Sequence, residues 1–236
     1  MKRSVGKNGS GGGTARRASP PAPLPRYEEW LGFIFGRIDE ASDPWRLMWA
    51  FDVSPPELVD LVIATFERSG GDLQPYTDRQ VAIGLQAIMF NNFSSVVDVL
   101  IGPGITEPQR LALIRSIATL YRECLAERSP PVLGHLSETR SSPLEFPTYM
   151  MWDVTPIDVM ARETPERLEA LVAVLADALS LANDACVESA LHGLGHLSGS
   201  RVVMARTAID DWLAGRPDVR PELIAYAERA RTGCIQ

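Results

Sequence analysis

At 236 residues with 45% hydrophobic content, the chain can bury its own core as one large domain or two small ones, and no apolar run approaches the ~18 residues that a membrane span needs. Six of its 23 Lys+Arg lie in residues 1–26, where there is no acid, so the other 17 face all 30 Asp+Glu and leave the remainder near −13. That charge repels a phosphate backbone and argues against nucleic acid as a main partner.

The first segment, residues 1–26, is basic, Gly/Ser-rich and then Pro-rich, a composition that cannot bury enough surface to order itself. Arg16-Arg17 is followed by Ala-Ser-Pro-Pro-Ala-Pro, where an export signal requires an apolar stretch. The globular part is predicted to begin near Tyr27 and to run to residue 236 as one domain.

Helix signals then recur. Ser54-Pro-Pro-Glu57 combines a capping serine, Pro at the first helical position and a glutamate three residues on. Leu58, Leu61, Val62 and Thr65 continue the helix until Gly70-Gly71. The spacing predicts a second helix over 77–90, with Val81, Gly84, Leu85 and Ile88 on one face. A short apolar segment over 94–101 follows, and then a helix starting at Thr106-Glu-Pro-Gln109. The stretch from Pro130 to Pro147 reads as a long irregular connection. Thr155-Pro-Ile-Asp158 and Thr164-Pro-Glu-Arg167 mark two more helix starts, and further helices are predicted over 185–199, 202–214 and 221–232. Strand-like alternation is sparse, so the fold class is all-α.

The two halves match. Phe51-Asp-Val-Ser-Pro55 aligns with Trp152-Asp-Val-Thr-Pro156, Val81–Phe90 with Val187–His196, and Cys124-Leu125 with Cys234-Ile235. The pattern reads as a first copy over about 45–127, a connection over about 128–147 and a second copy over about 148–236. Duplicated multi-helix units bury their apolar faces on one another, which implies a stacked, superhelix-like helical repeat. With its small-residue helix Ala190-Leu-His-Gly-Leu-Gly195, this layout resembles HEAT and armadillo-like helical repeat proteins. Tyr27-Glu-Glu-Trp30, Leu191-His-Gly-Leu-Gly-His196, Arg220-Pro-Glu-Leu-Ile-Ala-Tyr226 and Gly233-Cys234 together resemble an uncharacterised group of bacterial proteins. That second resemblance implies no activity.

The chemistry concentrates in one predicted helix, Ala185 to Gly199. At 100° per residue, His192 and His196 fall ~140° and ~180° from Val187, away from the apolar stripe of Val187, Ala190, Leu191 and Leu194. Residues i and i+4 are helix neighbours, so the two imidazoles can share a metal such as zinc, with Glu188 as third ligand or orienting carboxylate. The equivalents in the first copy are Gln86 and Phe90, which cannot form that site. His135 lies in the Pro-rich connection and is set aside. Asp52 and Asp153 precede Ser/Thr-Pro helix starts and read as turn residues. Trp45, Trp49 and Trp152 read as packing aromatics.

Cys124, Cys186 and Cys234 are odd in number, widely spaced and without a CxxC, so they form neither a disulfide framework nor a zinc knuckle. Cys124 and Cys234 close helices and read as buried packing residues rather than nucleophiles. No P-loop, GxSxG or strand-borne GxGxxG occurs.

Two functions follow from these residues. The leading one is a non-catalytic, cytoplasmic protein-binding or scaffold module, without a cofactor, whose binding face carries Glu188, His192, His196, Gln86 and Phe90; a small acidic protein of this type suits a neutralising role such as that of toxin-immunity proteins. The alternative is a metal-dependent enzyme or metal sensor using Glu188, His192 and His196.

Overall fold

Helix starts follow the capping chemistry. Residues 24–36, 51–138, 142–215 and 218–235 are described by the structure, a computed structural model. The leader through residue 23 and Trp45 and Trp49 lie outside this range. At Ser54 the Glu57 carboxylate accepts from the Ser54 backbone N–H at 3.0 Å, opening α2 (Pro55–Glu67). The Thr77 and Thr106 hydroxyls accept from Gln80 and Gln109 N–H and open α4 (Asp78–Met89) and α6 (Glu107–Leu120). Thr164 does the same for Arg167 at the head of α10 (Pro165–Ala178). Each such cap contributes ~1 kcal/mol.

The remaining helices are α1 (Tyr27–Ile34), α3 (Ser69–Asp72), α5 (Val96–Ile101), α7 (Ala126–Arg128), α8 (Glu145–Val154), α9 (Ile157–Ala161), α11 (Asp184–Gly199), α12 (Val203–Gly215) and α13 (Pro221–Thr232). A π-helical turn, Tyr121–Leu125, and a 3₁₀ turn, Gly134–Leu136, complete them. No strand occurs among the described residues. The predicted connection is therefore shorter than expected. Pro147 belongs to the first turn of α8, where a missing N–H costs nothing.

Packing runs in a line. Helix α2 rests on α6, α6 on α10 and α10 on α11, while α8, α12 and α13 close around α11. Helix α11 is consequently buried over most of its surface: 13 of its 16 residues are buried, which overturns the expectation of one apolar stripe and one outward polar face. Asn183 fixes its start twice. The side-chain oxygen accepts from Ala185 and Cys186 N–H, and the side-chain amide donates to the Ala126 and Ser129 carbonyls, tying α11 to the end of α7.

A buried chain of polar groups, running one way, holds α8 to α11. Trp152 Nε1–H donates to the Tyr121 hydroxyl at 2.8 Å, which donates to Ser189 Oγ at 2.7 Å. Ser189 in turn donates to the Thr148 carbonyl at 2.6 Å. Every proton in this chain has a partner, which such a buried network requires to be stabilising. Gly193 lies against the Trp152 ring, 3.0 Å from where its Cβ would be. The two helices therefore cross closely one residue from Asp153 on α8 and one residue from His192 on α11. Helices α11 and α13 meet at a second glycine contact, Gly199 against Gly233, where Gly233 has φ 78° and caps α13.

Candidate metal site

The crossing of α8 and α11 brings together two histidines from one helix and a carboxylate from the other. His192 Nε2 is 3.0 Å and His196 Nε2 3.1 Å from the same atom, Asp153 Oδ1. One ligand atom from each of the three residues lies within 4.8 Å of the other two. A divalent ion with N and O ligands at ~2.0–2.2 Å holds its donor atoms roughly 3–3.5 Å apart, which is the spacing of the two nitrogens from the oxygen. Partial burial pushes the Asp153 carboxyl up, but the two imidazoles outweigh it and hold the group well below the usual carboxylate range.

The far side of His192 is set by tyrosines. His192 Nδ1 is 2.5 Å from the Tyr226 hydroxyl on α13, and that hydroxyl also hydrogen-bonds Tyr149 on α8. Burial is the main cause raising both the Tyr226 and the Tyr149 phenols. A hydroxyl has one proton to give. With its proton on Tyr149, Tyr226 would accept from His192 Nδ1–H, and the neutral ring would then present Nε2 as the lone pair that a metal ligand needs. His192 is 1% exposed, and Nε2 has no hydrogen-bond partner; it faces Asp153 Oδ1 but is not aligned for a hydrogen bond. This contact is attractive when the ring carries a proton on Nε2 or when a cation lies between the two atoms.

Glu188 is not part of this group. Its carboxylate accepts from the backbone N–H of Gly134 at 2.7 Å and of His135 at 3.1 Å, and it also contacts His135 Nδ1. Expected as third ligand or orienting carboxylate, Glu188 turns its lone pairs to the 3₁₀ turn in the structure and does not join the group of Asp153, His192 and His196. His135, set aside in the sequence, anchors that turn, and its ring lies 4.5 Å from the Tyr226 ring. Asp153, expected to be a turn residue, takes the place assigned to Glu188. Its sequence partner Asp52 is exposed ahead of α2.

The expected binding face is buried in part, with Gln86 and His196 partly exposed. Glu188, His192 and Phe90 are buried. Phe90 packs edge-on against Phe146 at 6.2 Å, and Gln86 is half-buried with its amide donating to the Ala82 carbonyl. Cys124 and Cys186 are buried, and desolvation pushes their thiols up to about 11 and about 12. Neither is a thiolate at neutral pH, so neither is a nucleophile or a ready ligand. Cys234 is exposed rather than buried, since the chain leaves α13 at Gly233 before it can turn inward.

Besides Asp153, sequence reasoning missed Tyr226 and Tyr149, which border the candidate site. A Tyr that accepts from a ligand histidine fixes its tautomer and orientation, and loss of such a partner typically costs 10–100-fold in metal affinity. Tyr226→Phe removes only the hydroxyl. Isothermal titration with zinc should show an affinity lowered by about that factor at unchanged stoichiometry; an unchanged affinity would remove Tyr226 from the site.

No protein-family model, curated protein or solved structure matches the chain.

Proposed function

We propose that this chain binds a divalent metal ion through Asp153, His192 and His196. The observation that carries the reading is His192 Nε2, buried, without a hydrogen-bond partner and 3.0 Å from a carboxylate oxygen. Two imidazoles and one carboxylate are ligands suited to zinc, iron(II) or manganese rather than to calcium, which takes oxygen donors alone. The reading keeps the metal alternative drawn from the sequence but exchanges one ligand, Asp153 for Glu188. Elemental analysis of the protein purified without chelator tests it. About one equivalent of a transition metal, lost in an Asp153→Ala/His196→Ala variant of unchanged helicity, is the expected result. The same metal content in that variant would refute the assignment.

Partner binding by a superhelical repeat of two duplicated halves is a second reading, supported on a different surface. Between α10 and α12 a shallow groove is lined by Leu179, Met204, Ala208 and Trp212, and Val203 at its rim is 75% exposed. Exposed apolar surface of this kind marks association sites in many proteins. Cross-linking mass spectrometry in the native host should place a protein on that groove; partner cross-links confined to other faces would sink the reading.

A further inference from the structure

We infer that the ion held by Asp153, His192 and His196 keeps a coordination position open toward solvent, and that this position takes a small anionic ligand from solution. The inference rests on the metal reading above. Three donors do not complete any common divalent coordination sphere, which needs four to six. Among the described residues no fourth His, Cys, Asp or Glu joins the group. The nearest candidates are committed elsewhere: Glu188 is occupied by two backbone N–H groups and His135. Tyr226 bonds Nδ1 of His192, on the opposite side of the ring from Nε2.

The burial of the three ligands shows which side stays open. The His192 side chain is 1% exposed, whereas those of Asp153 and His196 are 29% and 35% exposed. The inner side is closed by Tyr226 and by Tyr149, whose ring stands edge-on to His192 at 5.2 Å. The outer side is bounded by the last turn of α11, where His196 is one turn from the helix end.

Charge selects the ligand. A divalent ion with one carboxylate and two neutral imidazoles has a net charge of +1, so the open position favours an anion over a neutral donor. A site that binds a metal and still exchanges an anion is built for chemistry or sensing rather than for structural cross-linking alone.

Cobalt(II), whose visible spectrum depends on coordination number and ligands, tests the inference on the full chain. After loading with cobalt to one equivalent, the protein is titrated separately with azide, inorganic phosphate and acetate. A saturable shift of the visible bands with at least one of them, at one anion per cobalt, is the expected result. Stoichiometric cobalt with a spectrum unmoved by all three anions would show a closed coordination sphere and overturn the open position while leaving the metal reading standing. Failure to take up cobalt, or uptake undiminished in the Asp153→Ala/His196→Ala variant, overturns both.

Discussion

Asp153→Ala and His196→Ala should each weaken zinc binding by more than ~100-fold, and Glu188→Gln by less than ~10-fold. The first number follows from dividing the ~10–16 kcal/mol of a structural zinc site over four ligands, which gives roughly 3 kcal/mol per ligand, or more than two decades in affinity. The contrast with Glu188 is the informative part. Glu188 lies one turn from His192 and has the right chemistry for a ligand, but its oxygens already accept from Gly134, His135 and the His135 ring. Glu188→Gln therefore loosens the 3₁₀ turn, costing stability on the order of 1–3 kcal/mol for the buried donors left unsatisfied. It reaches the candidate site only indirectly, through the Tyr226 ring that His135 packs on and the Tyr149 ring that Gly134 lies against. Competition titrations with a chromophoric zinc chelator give all three affinities. A larger loss for Glu188→Gln than for Asp153→Ala would restore the ligand set drawn from the sequence and reject the one drawn from the fold.

The second large effect is on stability. Gly233→Ala should lower the unfolding free energy by about 2–5 kcal/mol, combining ~1–2 kcal/mol for a side chain in the left-handed region with ~1–3 kcal/mol for overpacking. The new Cβ would lie 2.4 Å from Gly199 Cα and 2.7 Å from its nitrogen. Backbone atoms at this contact between two helix ends cannot step aside as a flexible side chain can. Relief requires α13 to move off α11, which also withdraws Tyr226 from His192. Chemical denaturation measures the loss, and an effect below ~1 kcal/mol would mean that the α11–α13 contact yields more readily than its geometry indicates. Gly195→Ala is the control. The three atoms nearest its Cβ all belong to the flexible Ile235 side chain rather than to backbone.

What the sequence revealed was local. Ser54, Thr77, Thr106 and Thr164 announced their helices because a cap acts within four residues, and all four start helices in the structure. Helix α11 misled for a related reason. Its polar residues Glu188, Ser189 and His192 fall opposite the apolar stripe, and a helical wheel assigns that side to water. In the fold the same side meets α8, α13 and the 3₁₀ turn, which supply partners to Glu188, Ser189 and His192 Nδ1. Periodicity separates polar from apolar faces but cannot show that a polar face is buried and paired. The site failed to show in the sequence through distance along the chain. Asp153 is 43 residues from His196 and Tyr226 is 34 from His192, and neither stands in a motif that announces metal chemistry. The match between Asp153 and Asp52 marked the carboxylate but pointed to the wrong role, since only Asp153 is placed beside a histidine-bearing helix.

The crossing of α8 and α11 also governs what a bound ion would do to folding. An ion shared by Asp153 and His192 is a removable cross-link that closes a loop of about 40 residues, and a covalent link over such a loop takes ~4 kcal/mol of chain entropy from the unfolded state. The ion acts through the same term, limited by its affinity and free concentration. The segment between the two ligands contains α9 and α10, together with the start of α11. Metal supply would thus set how often this middle portion opens, including helix α10, which touches no ligand but joins α6 to α11.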